Sequence, residues 1–113
     1  MATEELESVV RKIVSRLVIG DFEGVVAECS ASRVMPNDLR QVIQEYGRTF
    51  VEPPVDAYVN LDAVAVRGVA LPTWSIRAPL WSREEGRSDL TLELTIAKDG
   101  ERWDVELDDL HVL

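Results

Sequence analysis

The sequence predicts an α+β domain, with N-terminal helices laid on one face of a curved antiparallel sheet. Three observations predict it. Apolar residues recur at helical spacing before Pro53-Pro54 and at a spacing of two after it. Turn signals at Glu84-Glu85-Gly86 and Asp99-Gly100 separate three strictly alternating segments. A chain of 113 residues, 46% apolar, has room for a single domain spanning 1–113 with a core that needs no disulfide.

The first helix is expected over about 3–20. Leu6, Val9, Val10, Ile13, Val14, Leu17 and Val18 form one stripe, Thr3 is a candidate N-cap, and Glu4, Glu5 and Glu7 suit the positive helix end. Gly20 supplies a left-handed stop. Asp21 then caps a short helix over 21–29, with Phe22, Val25, Val26 and Cys29 inward. Pro36 suits the first position of a third helix over 36–46, whose inner face is Leu39, Val42, Ile43 and Tyr46 and whose stop is Gly47.

Strands are expected at about 57–67, 74–83, 87–97 and 102–112, with a further short one fitting Thr49–Glu52. Residues 57–67 are apolar on both parities in places, as in a strand covered on both faces or carrying a bulge. Asp99-Gly100 as a two-residue loop pairs Lys98 with Glu101, Ile96 with Trp103, Leu94 with Val105 and Leu92 with Leu107. The loop Glu84-Glu85-Gly86 pairs Leu80 with Leu90, Ala78 with Leu92, Ile76 with Leu94 and Trp74 with Ile96. Ile76, Leu94 and Val105 then share a row, and Arg77, Glu93 and Glu106 share one on the opposite face. Pro79 has no N–H to donate, so its edge is either open or paired only beyond it.

Twelve basic and twenty-one acidic residues give a net charge of −9. The excess is spread evenly: residues 1–56 hold six bases and ten acids, and residues 57–113 six and eleven. No basic stripe exists, which argues against nucleic acid. The acidic field favours a basic protein partner, or a small neutral or cationic ligand. No apolar run approaches the roughly 20 residues of a membrane span, and the acidic start lacks a leader's apolar segment. Cys29 is the only cysteine, which fits a reducing cytoplasm.

Phosphate-binding loops and the CxxC, HExxH and GxSxG motifs are all absent, so no catalytic residue, cofactor or metal is assigned. A Cys29–His111 dyad is formally open, but Cys29 falls on the buried side of its helix. Two clusters remain. In the turn from Trp81 to Asp89, Arg83 and Arg87 are placed to grip a carboxylate beside the Trp81 ring, with Asp89 next to them. Read structurally, the same turn is a solvated hairpin whose Arg and Glu side chains pair with one another. The second cluster is Asp109 and His111. Strict alternation points both toward the helices, where with Tyr46 they would line a pocket. A bulge at Asp108-Asp109 turns them outward and lets Leu110 and Val112 continue the core. Burying aliphatics in place of an acid and an imidazole favours the bulge by a few kcal/mol.

The string Leu80-Trp81-Ser82-Arg83-Glu84-Glu85-Gly86-Arg87-Ser88-Asp89-Leu90-Thr91-Leu92-Glu93-Leu94, the end Asp108-Asp109-Leu110-His111-Val112-Leu113 and the segment Glu45-Tyr46-Gly47-Arg48-Thr49 resemble an uncharacterised family of small bacterial proteins. That resemblance implies a stand-alone cytoplasmic domain and carries no catalytic residue across. The segment from Leu17 to Val26, with its central Gly20-Asp21, resembles the helix–helix opening of the nuclear-transport-factor-2-like superfamily, which implies a pocket between helices and sheet. Three functions compete. The first is a non-enzymatic protein-binding module, immunity- or adaptor-like, acting around Trp81 and the sheet end. The second is a pocket protein or enzyme using Asp109, His111 and Tyr46. The third is a homodimer whose sheet faces meet.

Overall fold

The computed structural model describes residues 4–113. Thr3, the expected N-cap, lies outside them. The first half of the chain holds three helices: α1 (Glu4–Val18), α2 (Phe22–Glu28) and α3 (Pro36–Tyr46). Their boundaries follow local chemistry. The Asp21 carboxylate accepts from the Gly24 N–H at 3.0 Å, capping α2. The Asp38 carboxylate accepts from the Met35 N–H at 2.9 Å at the start of α3, and Gly47 closes that helix with φ of 70°.

The sheet contains β1 (Ala31–Ser32), β2 (Phe50–Val51), β3 (Asp62–Ala65), β4 (Thr73–Ser82), β5 (Gly86–Asp99) and β6 (Arg102–Val112). Its order is β1-β6-β5-β4-β2, with β3 also on β4. All pairings are antiparallel except β1 with β6, which is parallel. The inner sheet face (Ile76, Leu80, Leu90, Leu92, Leu94, Ile96, Leu107) and the helical stripe (Leu6, Val10, Ile13, Val14, Leu17, Val25, Leu39) are each at most 2% exposed. The predicted α+β layering is the observed one.

Three expectations require correction. Residues 55–59 form a helix, α4 (Val55–Val59), and the strand expected at 57–67 shrinks to β3. Pro54 stands before the first helical turn and Asp56 within it, signals that the mixed apolar pattern obscured. The β5–β6 register is displaced by two residues: Ile96 pairs with Val105 and Leu94 with Leu107. The shared row is therefore Ile76–Leu94–Leu107, and Val105 lies one row along beside Ile96 and Trp74. Likewise Glu106 faces Thr95, and the charge row is Arg77–Glu93–Asp109. The cause is the turn. Asp99 pairs with Arg102, and Gly100 takes the first central position with φ of 63° while Glu101 keeps a negative φ, the pattern of a type II′ loop. A slip of two preserves every side chain's face. In the other hairpin the body register is as expected from Trp74↔Ile96 to Ala78↔Leu92. An irregularity after Pro79 removes the Leu80↔Leu90 pair and moves the tip to Ser82↔Gly86.

Candidate functional site

The bulge in β6 sets the orientation of the chain's last polar groups. Glu93 pairs with Asp109 while Leu94 pairs with Leu107, so Asp108 is the extra residue. Leu110 is consequently buried at 3% exposure, and His111 faces outward opposite Thr91. Val112, expected to continue the core, is 57% exposed at the sheet margin. His111 hydrogen-bonds Glu93 through Nε2, and its Nδ1 lies 3.7 Å from the Asp109 carboxylate. Glu93 also meets Arg77 at 3.5 Å. The result is a charged row across the outer face, away from the helices. Asp109 and His111 thus do not join Tyr46 in a pocket between helices and sheet, because the bulge turns both to the outer face. Cys29 packs against the helix-side core, a sheet's thickness from His111, so the two make no dyad. Burial, reinforced by Glu28, pushes the Cys29 thiol up to about 11.

The hairpin tip departs from the reading in which its own Arg and Glu side chains pair with one another. Its acids do not pair with its own arginines but tie it to the corner after α3. The Thr49 N–H donates to Glu84 at 2.9 Å, which holds that carboxyl below its ordinary range. Arg48 meets Glu85 at 3.4 Å, and the Tyr46 hydroxyl donates to Glu85 at 3.5 Å. Tyr46 and Arg83 therefore sit at this corner, while Arg87 lies opposite Trp81 on the outer face. The side chains of Arg83, Arg87 and Asp89 have no partner among the described residues.

Trp81 and Arg87 line a cleft of about 520 Å³. The cleft exists because the outer edge of β4 is paired in two pieces. β3 covers Trp74–Arg77 and β2 covers Trp81–Ser82, leaving Ala78 to Leu80 bare. Main-chain groups of odd-numbered residues point to that edge: the Thr73 carbonyl accepts from Val66, and the Arg83 N–H donates to Thr49. Pro79 thus stands where an N–H would be orphaned, and it has none. Helix α4 crosses the gap and forms the opposite wall. Tyr58 anchors it, at 3% exposure, donating to Glu52 at 2.9 Å with Arg11 stacked 4.6 Å from its ring centroid. Burial first and the Glu52 contact second raise the Tyr58 pKa well above its ordinary value. Replacing Tyr58 by Phe is expected to cost about 1 kcal/mol in urea unfolding by removing this hydrogen bond, with little change in the fold.

The cleft wall combines the apolar surface of Trp81, Pro79 and Leu61 with ionic groups of both signs. Asp56 and Asp62 stand with Arg77 and Arg87; Arg77 meets Glu93, and the other three are unpaired through their side chains among the described residues. The two sequence clusters meet beside it, since Thr91 lies in the cleft lining and opposite His111. Asp56, Tyr58 and Asp62 were not recognised in the sequence as site residues, because their segment read as a strand. Pro53-Pro54 followed by Asp56 was the available signal.

Among the described residues no group of three or more His, Cys, Asp or Glu side chains is placed to hold a metal ion, and no helix is long and apolar enough to cross a membrane. No curated protein and no solved structure matches the chain. Residues 14–113, almost its whole length, match the domain of unknown function DUF7668, and the chain belongs to that family.

Proposed function

We propose that this domain is a non-enzymatic protein-binding module, of the immunity or adaptor kind, which receives a basic segment of its partner at the cleft between α4 and the outer face of the sheet. The observation that carries this reading is the cleft itself: an indole platform and, in the same lining, two carboxylates that make no side-chain ion pair among the described residues. A lysine or arginine side chain matches that pair, its aliphatic stem against Trp81 and its charge on Asp56 and Asp62. The net charge of −9 adds long-range steering of a basic partner. Arg87 at the other wall suits an acidic neighbour of that side chain, which gives the segment a direction.

Affinity capture with the intact chain from the native lysate tests the reading. A stoichiometric partner should be retained at low salt and released as salt rises. Trp81→Ala should weaken the purified complex by about 10-fold or more. Asp56→Asn with Asp62→Asn should slow association and flatten the salt dependence. Binding indifferent to these substitutions would sink the assignment. A second reading keeps the same cleft for a small ligand. Its volume of about 520 Å³ suits one. A thermal-shift response to small cationic or zwitterionic compounds, abolished by Trp81→Ala, would favour it.

A further inference from the structure

We propose that β3 is a homodimerisation edge, on which two copies of this chain pair antiparallel about a two-fold axis at Val64. This inference does not depend on the partner-binding reading. Strand β3 is bonded to β4 through its even-numbered residues: Val66 donates to the Thr73 carbonyl at 2.9 Å, and Val64 and Asp62 stand in the same phase opposite Ser75 and Arg77. The main-chain groups of Ala63 and Ala65 therefore point the other way, to an edge with no strand on it among the described residues. Such an edge is a template for another strand.

The edge and the loop after it are also apolar where they face water. Val64 is 60% exposed, Val66 37%, Val69 50% and Leu71 38%. They fall in a stretch, 57–76, whose only charges are Asp62 and Arg67. The whole excess of −9 thus lies elsewhere in the chain. Two copies of so acidic a protein repel one another over most of their surface, and this stretch is where they do not.

The strand is self-complementary in one register. When Ala63 faces Ala65 of the second copy, each such pair exchanges both main-chain hydrogen bonds, which satisfies the free N–H and C=O groups of both alanines. Val64 then meets its own symmetry mate in the close, non-hydrogen-bonded position, a favourable β-branched pair. Asp62 meets Val66 of the second copy, so no like charges are opposed. Small alanines on the other face leave the two backbones free to approach.

Sedimentation and native mass measurements on the intact chain test this, with Val64→Lys as the disrupting variant and Val64→Cys in a Cys29→Ser background as the positive one. The wild type should dimerise reversibly in the micromolar range. Val64→Lys should weaken association by about 10-fold or more without altering the circular dichroism spectrum. Val64→Cys should form an intermolecular disulfide under mild oxidation, because the two side chains face each other across the axis, whereas Val66→Cys should not. A wild-type monomer up to about 100 μM would overturn the proposal. So would a dimer indifferent to Val64→Lys, equal cross-linking at positions 64 and 66, or a monomer that seats an unrelated protein on this edge.

Discussion

Inserting one alanine between Asp109 and Leu110 is expected to destabilise the fold by about 4 kcal/mol or more, a large part of a small domain's total stability. Asp108 is the residue that lets β6 carry two positions against one on β5. One further residue beyond it inverts the parity of everything downstream, whereas deleting Asp108 itself makes Leu107 and Asp109 consecutive and leaves every face as it is. Leu110, now 3% exposed, would turn to solvent and lose about 2 kcal/mol of burial. His111 would turn its imidazole into the aliphatic layer, at a further cost of a few kcal/mol. Asp108→Ala keeps the bulge and removes only the hydrogen bond from Thr95, at 2.7 Å, and a long contact to Arg33, at 3.9 Å. It is expected to cost about 1 kcal/mol. Urea unfolding of the two variants separates these cases, and equal effects would mean that the bulge does not set the parity.

Leu94→Ala and Leu107→Ala are each expected to cost about 3 kcal/mol, since both residues are 0% exposed at the centre of the core. Because they face one another across β5 and β6, their effects should be non-additive by about 1 kcal/mol. Leu94 and Val105 stand in different rows, so the double variant at those positions should be additive to within about 0.5 kcal/mol. Reversed couplings would restore the register in which Asp99 and Gly100 form the loop.

What was legible in the sequence was whatever rests on period and on cost. The stripe from Leu6 to Leu17 and the alternation from Leu90 to Ile96 each admit a single buried face, and both faces are as read. The bulge was readable because an aspartate and a histidine are dear to bury and Leu110 is not. The exact turn was not. Asp99-Gly100-Glu101 allows Gly100 to sit second or first in a two-residue loop, and both choices put the same residues inside, so hydrophobicity cannot choose between them. Helix α4 was hidden for a different reason. With Val55 and Val59 at 64% and 58% exposure, it lacks the apolar stripe that marks a helix, and only Tyr58 is buried. The cleft depends on that helix and on the split pairing of β4, both long-range outcomes. Trp81 and Arg87 could therefore be named in advance, but Asp56 and Asp62 could not. The tip acids were misassigned because their partners, Thr49 and Arg48, lie more than thirty residues away.

The bulge places the polar end of β6 on the outer face of the sheet, beside the cleft rather than under the helices. Proton contacts of the His111 ring in a nuclear Overhauser spectrum test it most directly. Strong contacts to the side chains of Thr91 and Glu93 are expected, and none to the methyl groups of α1. Contacts from His111 to Val10 or Leu6 would contradict it.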